Sequence, residues 1–113
     1  MDRDVQDYID GIDDALRPLF DRVERVVMAA YPDASITLSY KMPTFAVDGR
    51  RLHVGVWKHG VSLYGWHADR DGGFLERHPE LRTSTGTIRI SVDDAAAVTD
   101  DELRLLAGSA LEP

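Results

Sequence analysis

Apolar residues recur along this chain with two periods, and the elements change where the period changes. Val5, Tyr8, Ile9 and Ile12 fall at helical spacing and predict a short opening helix, weakened at Gly11. Leu16, Leu19, Phe20, Val23, Val26, Val27 and Ala30 then trace one face of a longer helix. Asp13 or Asp14 is its expected N-cap, and Pro18 is tolerable only near its start. Tyr31-Pro32 ends it, because proline pushes the preceding residue out of the α region.

From Ser35 the period is two. Ile36, Leu38 and Tyr40 alternate with Thr37, Ser39 and Lys41 as a half-buried strand, and Pro43 is expected to end its pairing and turn the chain. Phe45 and Val47 lead into Asp48-Gly49, a strong hairpin signal, after which Leu52, Val54 and Val56 alternate with His53, Gly55 and Trp57. Lys58-His59-Gly60 makes a second turn, and Val61 and Leu63 alternate with Ser62, Tyr64 and Trp66. After a polar loop and a helical turn over 74–78, Thr87 to Ser91 reads as a last strand. Thr99-Asp100-Asp101-Glu102 is a capping box opening a final helix whose buried stripe is Leu103, Leu106, Ala107 and Ala110. The order predicts a single α+β domain over residues 1–113: an antiparallel sheet of about five strands, with the N- and C-terminal helices packed mainly on one face.

Composition narrows the function more than it identifies it. A chain of 113 residues holds one core, and no apolar run approaches the roughly 20 residues of a membrane span. There is no secretory signal pattern at the start and no cysteine, which makes a reducing cytoplasm the expected compartment and removes thiolate chemistry and disulfides. The net charge of −7 argues against nucleic acid as a partner. Its distribution is uneven: residues 1–14 hold six Asp against Arg3, residues 93–113 hold six acids against Arg104, and the middle is left positive. The centre can therefore meet a neutral or anionic ligand while the ends stay solvated.

No chemical motif stands out. The chain has no G-x-S-x-G elbow, no glycine-rich phosphate loop and no H-E-x-x-H spacing, so no catalytic set is assigned. His53, His59, His67 and His78 read as surface or turn groups. One segment fits no generic loop: Tyr40-Lys41-Met42-Pro43-Thr44-Phe45. A packing role is the first explanation, with Tyr40, Met42 and Phe45 filling a corner opened by Pro43. The functional alternative is a ligand pocket there, with Lys41 and the Tyr40 hydroxyl as polar handles.

Taken with the long helix, the Asp48-Gly49 hairpin, the segment Lys58-His59-Gly60-Val61-Ser62-Leu63-Tyr64 and Gly86-Thr87-Ile88-Arg89-Ile90, this motif resembles the YdhG-like domain family, which is described as frataxin-like. The resemblance covers nearly the whole chain. It implies a frataxin-like fold and, as for some members, an iron-chaperone role with iron as weakly bound cargo rather than a resident cofactor. The chain departs from that family where a basic residue commonly precedes the last strand: here the segment is Thr83-Ser84-Thr85-Gly86.

Two surfaces are candidates. If Ile36, Leu38, Val54, Val56, Val61, Leu63, Ile88 and Ile90 face the helices, then His53, Trp57, Tyr64, Trp66 and Arg89 share the opposite face as one aromatic patch suited to a protein partner or small ligand. The competing explanation is a second core, with residues 67–79 or a second copy of the chain lying over the patch. For iron, Asp10, Asp13 and Asp14, with Asp7 beside them, offer hard oxygen donors near a helix start, where the macrodipole alone also favours acids. The reading is a small non-catalytic binding or accessory domain. It is either an iron chaperone or an interaction module without metal, working through the aromatic face or the Tyr40–Phe45 corner.

Overall fold

The computed structural model describes residues 2–113. Helix α1 (Arg3–Asp10) stops at Gly11 and buries Val5 and Ile9. Helix α2 (Arg17–Ala30) starts later than expected, with Leu16 at its N-cap position and Pro18 in its first turn. Asp13 instead closes a turn ahead of the helix, its Oδ1 accepting from the Ala15 N–H at 2.9 Å.

Strands β1 (Ser35–Ser39), β2 (Met42–Val47), β3 (Arg50–Trp57), β4 (Gly60–Tyr64), β5 (Arg82–Ser84) and β6 (Thr87–Ser91) form one antiparallel sheet in the order β1-β2-β3-β4-β6-β5. The sheet has six strands rather than five, because the short edge strand β5 pairs with β6 through an irregular register. It carries no alternating apolar signal, so pattern alone passes over it. Helix α3 (Phe74–Arg77) is the expected single turn, and α4 (Asp100–Leu111) opens on the Thr99–Glu102 capping box.

The first hairpin departs from expectation. The turn lies at Tyr40 and Lys41, both left-handed at φ 52° and 62°, and Pro43 sits inside β2 opposite Leu38. Residues flanking a two-residue turn form a hydrogen-bonded pair, here Ser39 and Met42, so the pair after them is not bonded on that side. The donor that Pro43 lacks would therefore face β3, whose ladder with β2 begins one residue later at Thr44↔His53. That register lets a proline enter an inner strand.

One core joins the sheet to the helices. Phe20, Val23 and Val27 of α2 and Leu103, Leu106 and Leu111 of α4 are buried with Phe45, Leu52, Val54, Val61, Leu63, Ile88 and Ile90. Leu38 and Val56, expected to be buried with them, are only half-buried because they lie toward the margins of the helix layer. Helix α4 lies over β3, α2 over β4, and α1 over β1 and β2. No helix is long and apolar enough to cross a membrane among the described residues.

Buried Glu102 ties α3 to α4. It accepts from Arg77 Nε at 2.7 Å, from His78 Nε2 at 2.9 Å and from the Thr99 N–H at 3.0 Å. Burial pushes its carboxyl up, but these bonds outweigh burial and hold the pKa down at about 2.

Candidate functional site on the open sheet face

Strand alternation puts a second set of residues on the face away from the helices. The register arranges them in rows that cross the strands. One row is Thr37, Thr44, His53 and Tyr64, and the next is Gly55, Ser62 and Arg89, with the Met42 side chain beside Gly55. Beyond that row stand Trp57, Gly60 and Ser91.

Among the described residues, no segment covers this face. The chain after β4 packs on the helix side: the His67 N–H donates to Ser109 Oγ at 3.1 Å, Arg70 Nε donates to the Ser109 carbonyl at 3.0 Å, and Phe74 is fully buried. Trp66 goes with that segment. Alternation predicts it in the exposed patch, but it is 8% exposed and part of the main core, with Nε1 donating to the Leu63 carbonyl at 2.8 Å. Gly65, at φ +96°, breaks the alternation, and its α-carbon lies too close to the Arg51 carbonyl for any side chain. Trp66 therefore turns inward, where Arg82 covers its ring.

His53, Trp57, Tyr64 and Arg89 do share the open face. Arg89 lies 4.9 Å over the Trp57 ring, and His59 meets the same ring edge-on at 5.1 Å. The indole Nε1–H donates to the Val61 carbonyl at 3.3 Å. Tyr40, expected to fill a corner, is 80% exposed and stands edge-on to His53 at 5.5 Å. A tyrosine and a lysine held left-handed at a turn that favours Asn-Gly store backbone strain, roughly 1 kcal/mol each, and such strain gathers at functional surfaces.

The chemistry around His53 is specific. Thr44 Oγ1 is 2.7 Å from His53 Nδ1 and 3.2 Å from the Met42 carbonyl, which can only accept. A hydroxyl has one proton, so both contacts are satisfied at once only when Thr44 donates to Met42 and His53 Nδ1–H donates to Thr44. Nε2 is then the free nitrogen; it is not buried and has no partner among the described residues. Burial and, second, the charge of Arg51 hold His53 below the usual histidine range. A hydroxyl beside an imidazole is also how a nucleophile meets its base, but Thr44 is 1% exposed and beyond the reach of a substrate. The burial of Thr44 and Ser62 on the outer face carries no signal in the pattern; only the full register, which sets larger neighbours around them, reveals their cover.

Charge on this face is one-sided. No strand contains an acidic residue, although the chain has 20 of them. Arg51 and Arg89 form no ion pair and no side-chain hydrogen bond among the described residues, whereas Arg22, Arg25 and Arg77 on the helix side are paired. The acids expected to hold iron do not converge. Asp10 accepts from Gln6 at 2.8 Å, Asp13 is committed to its turn, and Asp14 is exposed. No three His, Asp or Glu side chains among the described residues gather as a metal-holding group. A cleft of ≈ 470 Å³ between the ends of α2 and α4 is lined by Arg70 and Arg104, but both are engaged, Arg70 with main-chain carbonyls and Arg104 with Asp101.

No protein-family model, curated protein or solved structure matches this chain.

Proposed function

We propose that this protein is a non-catalytic binding or accessory domain that engages its partner through the open face of the sheet, with no metal role. The observation that carries the reading is the pairing of a half-buried aromatic surface, with Tyr40 exposed at its margin, and uncompensated cations. Trp57, Tyr64, Tyr40 and His53 lie on a face whose strands carry no acid, beside Arg51 and Arg89, which have no ion-pair or hydrogen-bond partner among the described residues. Natural sheets leave one face to water with scattered polar residues; a contiguous aromatic and arginine patch is what interface cores are made of. The iron-chaperone reading draws support from the resemblance of the Tyr40–Phe45 motif, and no gathered ligand set accompanies it among the described residues.

Capture by the immobilised full chain from an extract of the cells that express it, compared with Trp57→Ala, tests this reading. Partner affinity should fall by about 2 kcal/mol, roughly thirtyfold, with the folded state preserved. Unchanged capture by Trp57→Ala would sink the proposal. An iron titration abolished by joint Asp10→Asn, Asp13→Asn and Asp14→Asn would restore the chaperone reading.

A further inference from the structure

Four features of the open face define what it can hold. Arg89 is exposed, its guanidinium carbon 4.9 Å from the centroid of the Trp57 ring, and its N–H groups have no acceptor among the described residues, which leaves its planar fork free for a carboxylate in bidentate contact. Two strands away in the same row is Gly55, about 10 Å from Arg89 by strand spacing. Two residues further along β3, about 7 Å on, His53 presents Nε2, with Arg51 next on the same face. Gly55 itself is not demanded by the fold. Its φ is ordinary, and a Cβ there would meet Met42 Sδ at 3.4 Å, Met42 Cβ at 3.9 Å and Tyr64 Cε2 at 4.0 Å, contacts that leave room for a methyl group. A strand glycine that the chain does not need marks a place where something else comes close.

We infer that the open face takes a carboxylate-bearing segment of a protein partner, one carboxylate on Arg89, another on Arg51 and His53, and an apolar side chain over Gly55 between them. This rests on the open face being the working surface and names the chemistry of its occupant. Charge complementarity selects the acidic segment: the strands present cations and no acid, while the rest of the molecule is strongly negative. Nucleic acid would bring a dense row of phosphates against a net charge of −7, with few cations to meet it. A small molecule on an open sheet surface is covered on one side only, whereas ligand pockets enclose most of their guest. The groups facing His53 are Tyr40, Thr44, Arg51 and Tyr64, none of them an acid, so the incoming carboxylate is the only anion there and draws a proton onto Nε2.

The test is an NMR titration of the full chain with acetyl-Glu-Phe-Glu-amide and, in parallel, acetyl-Gln-Phe-Gln-amide. The acidic peptide should shift the Gly55 amide, the Trp57 indole N–H and the His53 ring saturably, bind at least about fivefold tighter than the neutral one, and raise the His53 titration midpoint. Arg89→Gln should erase the difference between the peptides, and Arg51→Gln is read in the same way should Arg89→Gln fail to fold. Equal binding of the two peptides, or no saturable shift up to about 10 mM, overturns the inference. So does tighter binding of a single-stranded oligonucleotide at the same resonances, or self-association that Arg89→Gln abolishes. If the peptides fail while partner capture still depends on Trp57, the occupant is wrong and the surface stands. If capture is indifferent to Trp57, the surface itself is wrong.

Discussion

On the helix side of the sheet, Phe45, Val54 and Ile88 are fully buried in one apolar cluster. Residues beside them in sequence point the other way: Thr44 meets His53, Thr87 accepts from Ser84, and exposed Arg89 lies over Trp57. The same strands therefore serve two purposes through alternate positions. One face is filled for stability with interchangeable aliphatic side chains. The other carries bulk, charge and backbone strain, and leaves His53 Nε2 and the N–H groups of Arg51 and Arg89 without hydrogen-bond partners among the described residues.

The strongest way to break that comparison is to truncate an aromatic on each face. Phe45→Ala removes a side chain with no exposure and should cost about 3 to 5 kcal/mol. Trp57→Ala, a larger deletion from a half-buried site, should cost about 1 kcal/mol or less in urea denaturation. Equal losses would mean that Trp57 belongs to a second core and that the open face is structural.

Glu102 provides the next largest effect, and it belongs to the stabilising side. Glu102→Ala leaves Arg77, His78 and the Thr99 N–H without their shared acceptor and should cost about 2 to 3 kcal/mol. The folded-state pKa of this carboxyl lies below its unfolded value of 4.5, so its contribution is fully present above that value. It is lost as pH falls toward about 2. Wild type should lose stability across that acid window relative to Glu102→Ala, and parallel pH profiles would refute the linkage.

The faces are legible in the sequence to unequal degrees, for a physical reason. Apolar alternation locates Phe45, Val54, Leu63, Ile88 and Ile90 because burial requires a long-lived pattern, and the capping box at Thr99 is local chemistry. Trp66 is misplaced when alternation is carried past Gly65, whose positive φ the pattern does not encode. The turn at Tyr40 and Lys41 is hidden because a type I′ turn usually announces itself with Asn or Gly, and Pro43 draws the expected turn to itself. The site's particulars, from Thr44 on His53 to Arg89 over Trp57, depend on cross-strand register, which no single stretch of sequence contains.

That hairpin supplies a prediction of opposite sign. Lys41→Gly removes a left-handed lysine from the second turn position and should raise stability by about 1 kcal/mol, as denaturant midpoints will read. No gain would show that contacts of Lys41 within the chain already compensate for its backbone. A gain accompanied by weaker binding of the acidic peptide would place Lys41 among the groups kept for the partner.

The smallest expected stability change discriminates most sharply, because it separates folding from function at one atom. Gly55→Ala adds a methyl at the centre of the open face, where the nearest atom is the flexible end of Met42 at 3.4 Å. In a strand interior, exchanging glycine for alanine reduces the entropy lost on folding, so stability should be unchanged or rise by roughly 0.5 kcal/mol. A face built only for the fold would have taken that gain. If an apolar side chain of the partner sits over Gly55, the added methyl occupies its place, and affinity for acetyl-Glu-Phe-Glu-amide should fall by about tenfold while Arg89 still distinguishes acid from amide. Denaturation curves beside the peptide titration decide it. A destabilised Gly55→Ala would mean that the fold itself demands the glycine, and unaltered peptide affinity would move the apolar contact away from the centre of the sheet.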